Sequence, residues 1–101
     1  SGPNLPGQSI RMDNLLNLYK QHLENEKLID CQAIEWPQDR LYHFKDWRAN
    51  HILWMLYQME TFPAGPKKDR WLGFIQGVLW ADEWYTIKDL RDQTRALTNL
   101  G

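Results

Sequence analysis

The sequence predicts an all-α protein, a compact bundle of about four helices with the third at its centre. Three observations carry that prediction. Trp71–Ala81 (Trp-Leu-Gly-Phe-Ile-Gln-Gly-Val-Leu-Trp-Ala) is apolar almost all the way round, Gln76 being its one clearly polar side chain, and a helix without a polar face sits inside something. A second run, Ile52-Leu53-Trp54-Met55-Leu56-Tyr57, also lacks a wet face. The chain has 101 residues, enough for one domain with a single core, and no segment carries a convincing sheet pattern.

Residues 1–11 hold two prolines and two glycines without periodicity. They read as a leader, such as a cloning remnant, ahead of a start at Met12. The first helix is expected from Met12 to Lys27. Asp13 or Asn14 would cap it, with Leu15, Leu16, Leu18, Tyr19, His22 and Leu23 facing inward and Lys20 among the wet residues. From Leu28 to Tyr42 the periodicity breaks, and Trp36-Pro37 biases the backbone to an extended form. A long irregular connection with one helical turn is expected there, with a short strand pair as the alternative.

The second helix spans about Phe44 to Glu60 and stops at Pro63, Gly65 and Pro66. The third opens at Lys67-Lys68-Asp69-Arg70 and closes around Asp82 to Tyr85. Within it Gly73, Gly77 and Ala81 fall on one stripe, which would let another helix come close. The fourth runs from an N-cap at Thr86, with Asp89 three residues later as in a capping box, to Leu97.

Composition excludes several classes of function. Net charge is −1, from 12 Lys and Arg against 13 Asp and Glu, which fits neither a strongly basic nucleic-acid binder nor an acidic nucleic-acid mimic. No apolar run reaches the roughly 18–20 residues of a membrane span. A single cysteine, Cys31, cannot form an internal disulfide, and a reducing cytoplasm is the expected location. Six tryptophans point either to an aromatic contact surface or to a tryptophan-rich core.

No catalytic, metal or cofactor motif emerges. His22, His43 and His51 include no pair four residues apart, and there is no Cys-x-x-Cys. Cys31 has no neighbouring base and reads as an inert thiol. Gly73 and Gly77 lack the lysine and hydroxyl of a phosphate loop. His51, on the second helix, reads as a hydrogen-bonded core or interface residue. The expectation is a protein without enzymatic activity.

What remains is surface. Two helices without a polar face exceed what two others and a loop can cover, so a homodimer is expected, through the second helix or through Gly73, Gly77 and Ala81. Trp47, Trp54, Trp80, Trp84 and Tyr85 are the expected anchors for a protein partner. Two alternatives stand beside this. Lys67, Lys68 and Arg70 at a helix N-terminus could hold an anion. The third and fourth helices could form a helix-turn-helix, with Lys88, Arg91 and Arg95 on phosphates and Gln93 and Thr94 at base edges.

Arg70-Trp-Leu-Gly-Phe-Ile-Gln-Gly-Val-Leu-Trp-Ala, followed by Tyr85-Thr-Ile-Lys-Asp-Leu-Arg-Asp-Gln-Thr-Arg95, resembles small uncharacterised proteins encoded by tailed bacteriophages. The resemblance covers about the last third of the chain. It implies a phage accessory protein in the cytoplasm of an infected bacterium, one that acts on a host factor, with no catalytic residues to carry over. The contact reading of the surface extends this to a host or phage protein of defence, replication or transcription. The Asp82-Glu83-Trp84 turn, where a small residue is expected, departs from that pattern.

Overall fold

The computed structural model describes residues 6–26 and 32–98. Four helices, α1 (Pro6–Asn25), α2 (Lys45–Met59), α3 (Pro66–Ala81) and α4 (Ile87–Thr98), close a ring in which α1 packs on α2 and α4, and α3 packs on the same two. Among the described residues there is no strand. The all-α, four-helix expectation holds. Every helix in the ring, α3 included, has two helical neighbours, and the deepest burial belongs to α2.

The first helix starts earlier than its periodicity suggests, at Pro6 and not at Met12. Proline is compatible with a first helical position because its missing N–H would have had no intrahelical acceptor. Arg11 lies inside the helix and donates to the Ala96 carbonyl at 3.3 Å, so residues 6–11 continue α1 where a leader was expected. Asp13, expected as a cap, is an interior position that faces Lys68 at 4.0 Å. Cys31 lies outside the described residues. Residues 32–44 form an irregular segment with a tight turn over 38–40 and no helical turn.

The helix ends follow local chemistry. Gly65 precedes α3 with φ 156°, a backbone region that disfavours any side chain, and Pro66 takes the first helical position. At the far end, the Glu83 N–H donates to the Trp80 carbonyl at 3.1 Å and the Trp84 N–H to the Leu79 carbonyl at 2.8 Å. This is the Schellman pattern, with Glu83 at φ 68° in the left-handed position that glycine usually takes. A side chain there costs about 1–2 kcal/mol. The fourth helix opens as expected: the Thr86 N–H donates to Asp89 Oδ2 and the Asp89 N–H to Thr86 Oγ1, both at 3.0 Å. Two otherwise unmatched donors are thus satisfied reciprocally.

The core is built from Leu16, Tyr19 and Leu23 of α1, Ile52, Leu53, Leu56 and Met59 of α2, and Leu72, Ile75 and Leu79 of α3. Burying each aliphatic side chain of this kind is worth about 1.5–3 kcal/mol. The fourth helix adds only the half-buried Leu90 and Leu97. Gln76, the polar exception in its apolar run, links three helices: its Nε2 donates to Tyr19 Oη and to Thr94 Oγ1, each at 3.1 Å. Tyr19 in turn donates to Gln93 Oε1 at 2.5 Å. Burial pushes the Tyr19 phenol up to about 12, so it acts as a permanent donor.

Lys20, expected on the wet side of α1, is buried. It pairs with Glu60 and lies over the Tyr57 ring at 4.8 Å. Its long apolar stem makes that position tolerable.

Candidate interaction surfaces

The connection before α2 folds back on that helix. The Trp36 N–H donates to His51 Nδ1 at 3.1 Å, and the Ile34 N–H to the Asn50 carbonyl at 3.2 Å. Arg48 donates through Nη1 to the Tyr42 carbonyl at 2.7 Å and through Nε and Nη2 to both carboxylate oxygens of Asp82 at 2.9–3.1 Å. The Asp82 side chain is only 8% exposed, so one arginine fastens the connection, α2 and the end of α3 together. His51 stacks on Trp54 and meets Tyr42 edge-on. Because its Nδ1 accepts a backbone proton, the ring is neutral there, and burial lowers its pKa further, opposed by the charge of Glu35.

These ties hold an aromatic ridge on the surface. Trp36 packs on Trp47 with ring centroids 5.2 Å apart, and Phe44 meets Trp47 edge-on at 4.6 Å. Phe44 is 59% exposed, Trp47 36%, and Leu41 in the same segment 78%. Phe44 and Trp47 sit at the start of α2, where the helix leaves the core.

A second apolar surface lies on α3. Its inner side presents Leu72, Ile75 and Leu79 to the core, and its outer side presents Gly73, Phe74, Gly77, Trp80 and Ala81 to solvent. A methyl built at Gly73 or Gly77 meets nothing within 4 Å, so the small-residue stripe packs against no helix within the chain. Between α3 and α4 a groove of about 540 Å³ is lined by Gly77, Trp80, Ile87 and Leu90, with Arg91 and Arg95 at its edge. Trp80 is 52% exposed and Phe74 57%.

The five expected anchors therefore stand in different places. Trp47 is on the ridge and Trp80 on the open side of α3. Trp54 is half-buried between His51 and Trp71. Trp84 and Tyr85 pack against His22 of α1 at 5.2 Å, Tyr85 Oη lies 2.8 Å from His22 Nδ1, and Lys45 covers Trp84. Trp54, Trp84 and Tyr85 are structural neighbours of the core. Trp84 and Tyr85 nonetheless line a shallow depression together with Trp80, and Trp47 is not part of it.

The basic cluster does not converge. Lys67 lies over the Phe62 ring at 4.3 Å. Lys68 is buried and donates to the Phe62 carbonyl at 3.4 Å, and Arg70 is exposed further along α3. Two of the three cations have local roles that turn them from the helix terminus. The helix-turn-helix reading meets a similar obstacle. Gln93 and Thr94, expected at base edges, turn inward to Tyr19 and Gln76. Lys88 is paired with Asp92 at 2.8 Å, and Arg91 and Arg95 act on the same carboxylate. Among the described residues no group of three or more His, Cys, Asp or Glu is placed to hold a metal.

Leu41 and Phe44 were not marked by the sequence as contact residues. Leu41 sits at the end of the aperiodic stretch, where no spacing separates an inward side chain from an outward one. Phe44 opens the second helix, where the spacing alone does not show that the helix has left the core. Comparison with protein-family models, with curated proteins and with solved structures finds no match to this chain.

Proposed function

We propose that this protein works by protein–protein contact, with the aromatic ridge around Phe44 and Trp47 as its partner-binding surface. One observation carries the reading: large apolar rings stand in solvent on a segment that partly buried hydrogen bonds hold in place. Rigid aromatics lose little conformational freedom on binding and dominate interface energies once desolvated. In the phage setting implied by the resemblance of the last third of the chain, the partner is a host or phage protein of defence, replication or transcription, met in the bacterial cytoplasm. Self-association, expected from the excess of apolar helix surface, belongs to the same reading.

The test is capture from infected and uninfected bacterial lysate after nuclease treatment, comparing the wild-type bait with Phe44→Ala/Trp47→Ala. A protein held by the wild type and reduced at least tenfold on the double variant, with helical content unchanged, is the expected result. Equal retention on both baits, or retention that vanishes with nuclease, overturns it.

A further inference from the structure

The open side of α3 has a regular order. Arg70, Gly73, Gly77 and Trp80 follow at spacings of three, four and three, all exposed, which is the a/d seam of an antiparallel or parallel helix pair. Phe74 and Ala81 border it. The seam has a cation at its start, Arg70, and an exposed anion just beyond its end, Glu83. Among the described residues neither is ion-paired within the chain. Asp69, also exposed, lies one residue and about 100° round the helix from Arg70. Asp82, next to Glu83, is turned inward onto Arg48, so Glu83 is the free carboxylate at that end.

We infer that a second copy of this chain occupies this face, the two α3 helices lying antiparallel about a twofold axis near the Gln76–Gly77 peptide. Two pairings share that midpoint. Gly73 and Trp80 are equidistant from it along the helix, and Arg70 and Glu83 are equidistant in sequence, Glu83 standing in the turn two residues past the end of α3. One register therefore sets each Trp80 over the other copy's bare Gly73 backbone and matches Arg70 with Glu83 at both ends. A parallel pair would bring like charges together. A closed twofold contact uses the same patch on both copies. Here a large ring faces a bare backbone and opposite charges face each other at the two ends, with Arg91 and Arg95 of α4 flanking the groove beside Trp80. Association also supplies a role for Glu83, an exposed side chain held in a backbone position that suits glycine.

The inference rests on the reading of the protein as one that acts by contact, but it uses a face apart from the Phe44–Trp47 ridge. Its test is sedimentation equilibrium of the full chain over a concentration series. The wild type is expected to pass from monomer to dimer. Trp80→Ala, which removes the anchor twice over in a symmetric pair, should weaken association about a hundredfold. Arg70→Glu and Glu83→Arg should each weaken it about tenfold, and the double exchange should restore it, because each new pair is again opposite in sign. Phe44→Ala/Trp47→Ala should dimerise as the wild type does, which separates failure at this face from failure of the partner-binding ridge.

A wild-type mass that stays monomeric at every concentration overturns the inference. So does a dimer indifferent to Trp80→Ala, or a double exchange no better than its singles. Circular dichroism on each variant shows whether the helices persist. The charge exchange alters only exposed positions, and it decides the matter even if Trp80→Ala unfolds.

Discussion

Helices α2 and α3 read alike as sequences, both apolar nearly all round, yet they end in different circumstances. The second is covered on three sides, by α1, by α3 and by the returning segment 32–44, which Trp36 and Tyr42 hold to it through His51 and Arg48. The third packs on α2 and α4 and touches α1 through the Gln76 and Lys68 side chains, and its remaining side carries Gly73, Phe74, Gly77 and Trp80 into solvent. Apolar content measures how much surface a helix would gain by burying. The number of neighbours within reach decides how much of it is buried. The difference separates a structural helix from one with a face to offer.

Truncating one residue on each helix should affect the two very differently. Leu56, fully buried on α2, should cost about 3–4 kcal/mol as Leu56→Ala. Phe74→Ala, on the open side of α3, should leave the stability of the monomer within about 0.5 kcal/mol. Urea denaturation at a low protein concentration measures both. A cost at Phe74 matching that at Leu56 would mean that α3 is as enclosed as α2.

A smaller effect is expected where the two helices are tied. Arg48→Ala strips the buried Asp82 carboxylate of its bidentate partner and frees the Tyr42 carbonyl. A loss of about 2–3 kcal/mol follows. Arg48→Lys should recover only part of it, since an ammonium cannot reproduce the two-pronged geometry. Full recovery by lysine would show that charge alone matters at this joint.

The smallest effect comes from the third cover of α2. Burial holds the folded-state pKa of His51 below its ordinary value of 6.5. The unfolded chain then takes up this proton more readily than the folded one as the pH falls. Stability from this group is full above about pH 6.5 and declines as the pH drops through the folded-state value. His51→Gln should flatten that part of the pH profile in thermal unfolding. A profile identical in both proteins would mean that His51 takes up its proton equally in the folded and unfolded chain.

Several features were legible because they depend on near neighbours in the chain. The stop at Pro63–Pro66 and the box of Thr86 with Asp89 are local chemistry, readable at three-residue range. The early start of α1 at Pro6 was not, because a short run before Met12 lacks periodicity until α4 lies beside it, with Arg11 on the Ala96 carbonyl. Trp84 and Tyr85 read as surface anchors because nothing near them in sequence accounts for two aromatics at a turn. Their partners, His22 and Tyr19, lie more than sixty residues away.

Residue pattern alone gives four helices, most of their ends, and two helices without a polar face. These follow from backbone sterics, capping and side-chain periodicity, which act over a few residues. The tertiary structure alone decided which tryptophans stand in solvent, and that Gln93 and Thr94 turn inward. It also left the glycine stripe of α3 uncovered. The reason is geometric. A ring of four helices grants each one two helical neighbours, and only chain closure over long separations decides which side of each helix those neighbours take.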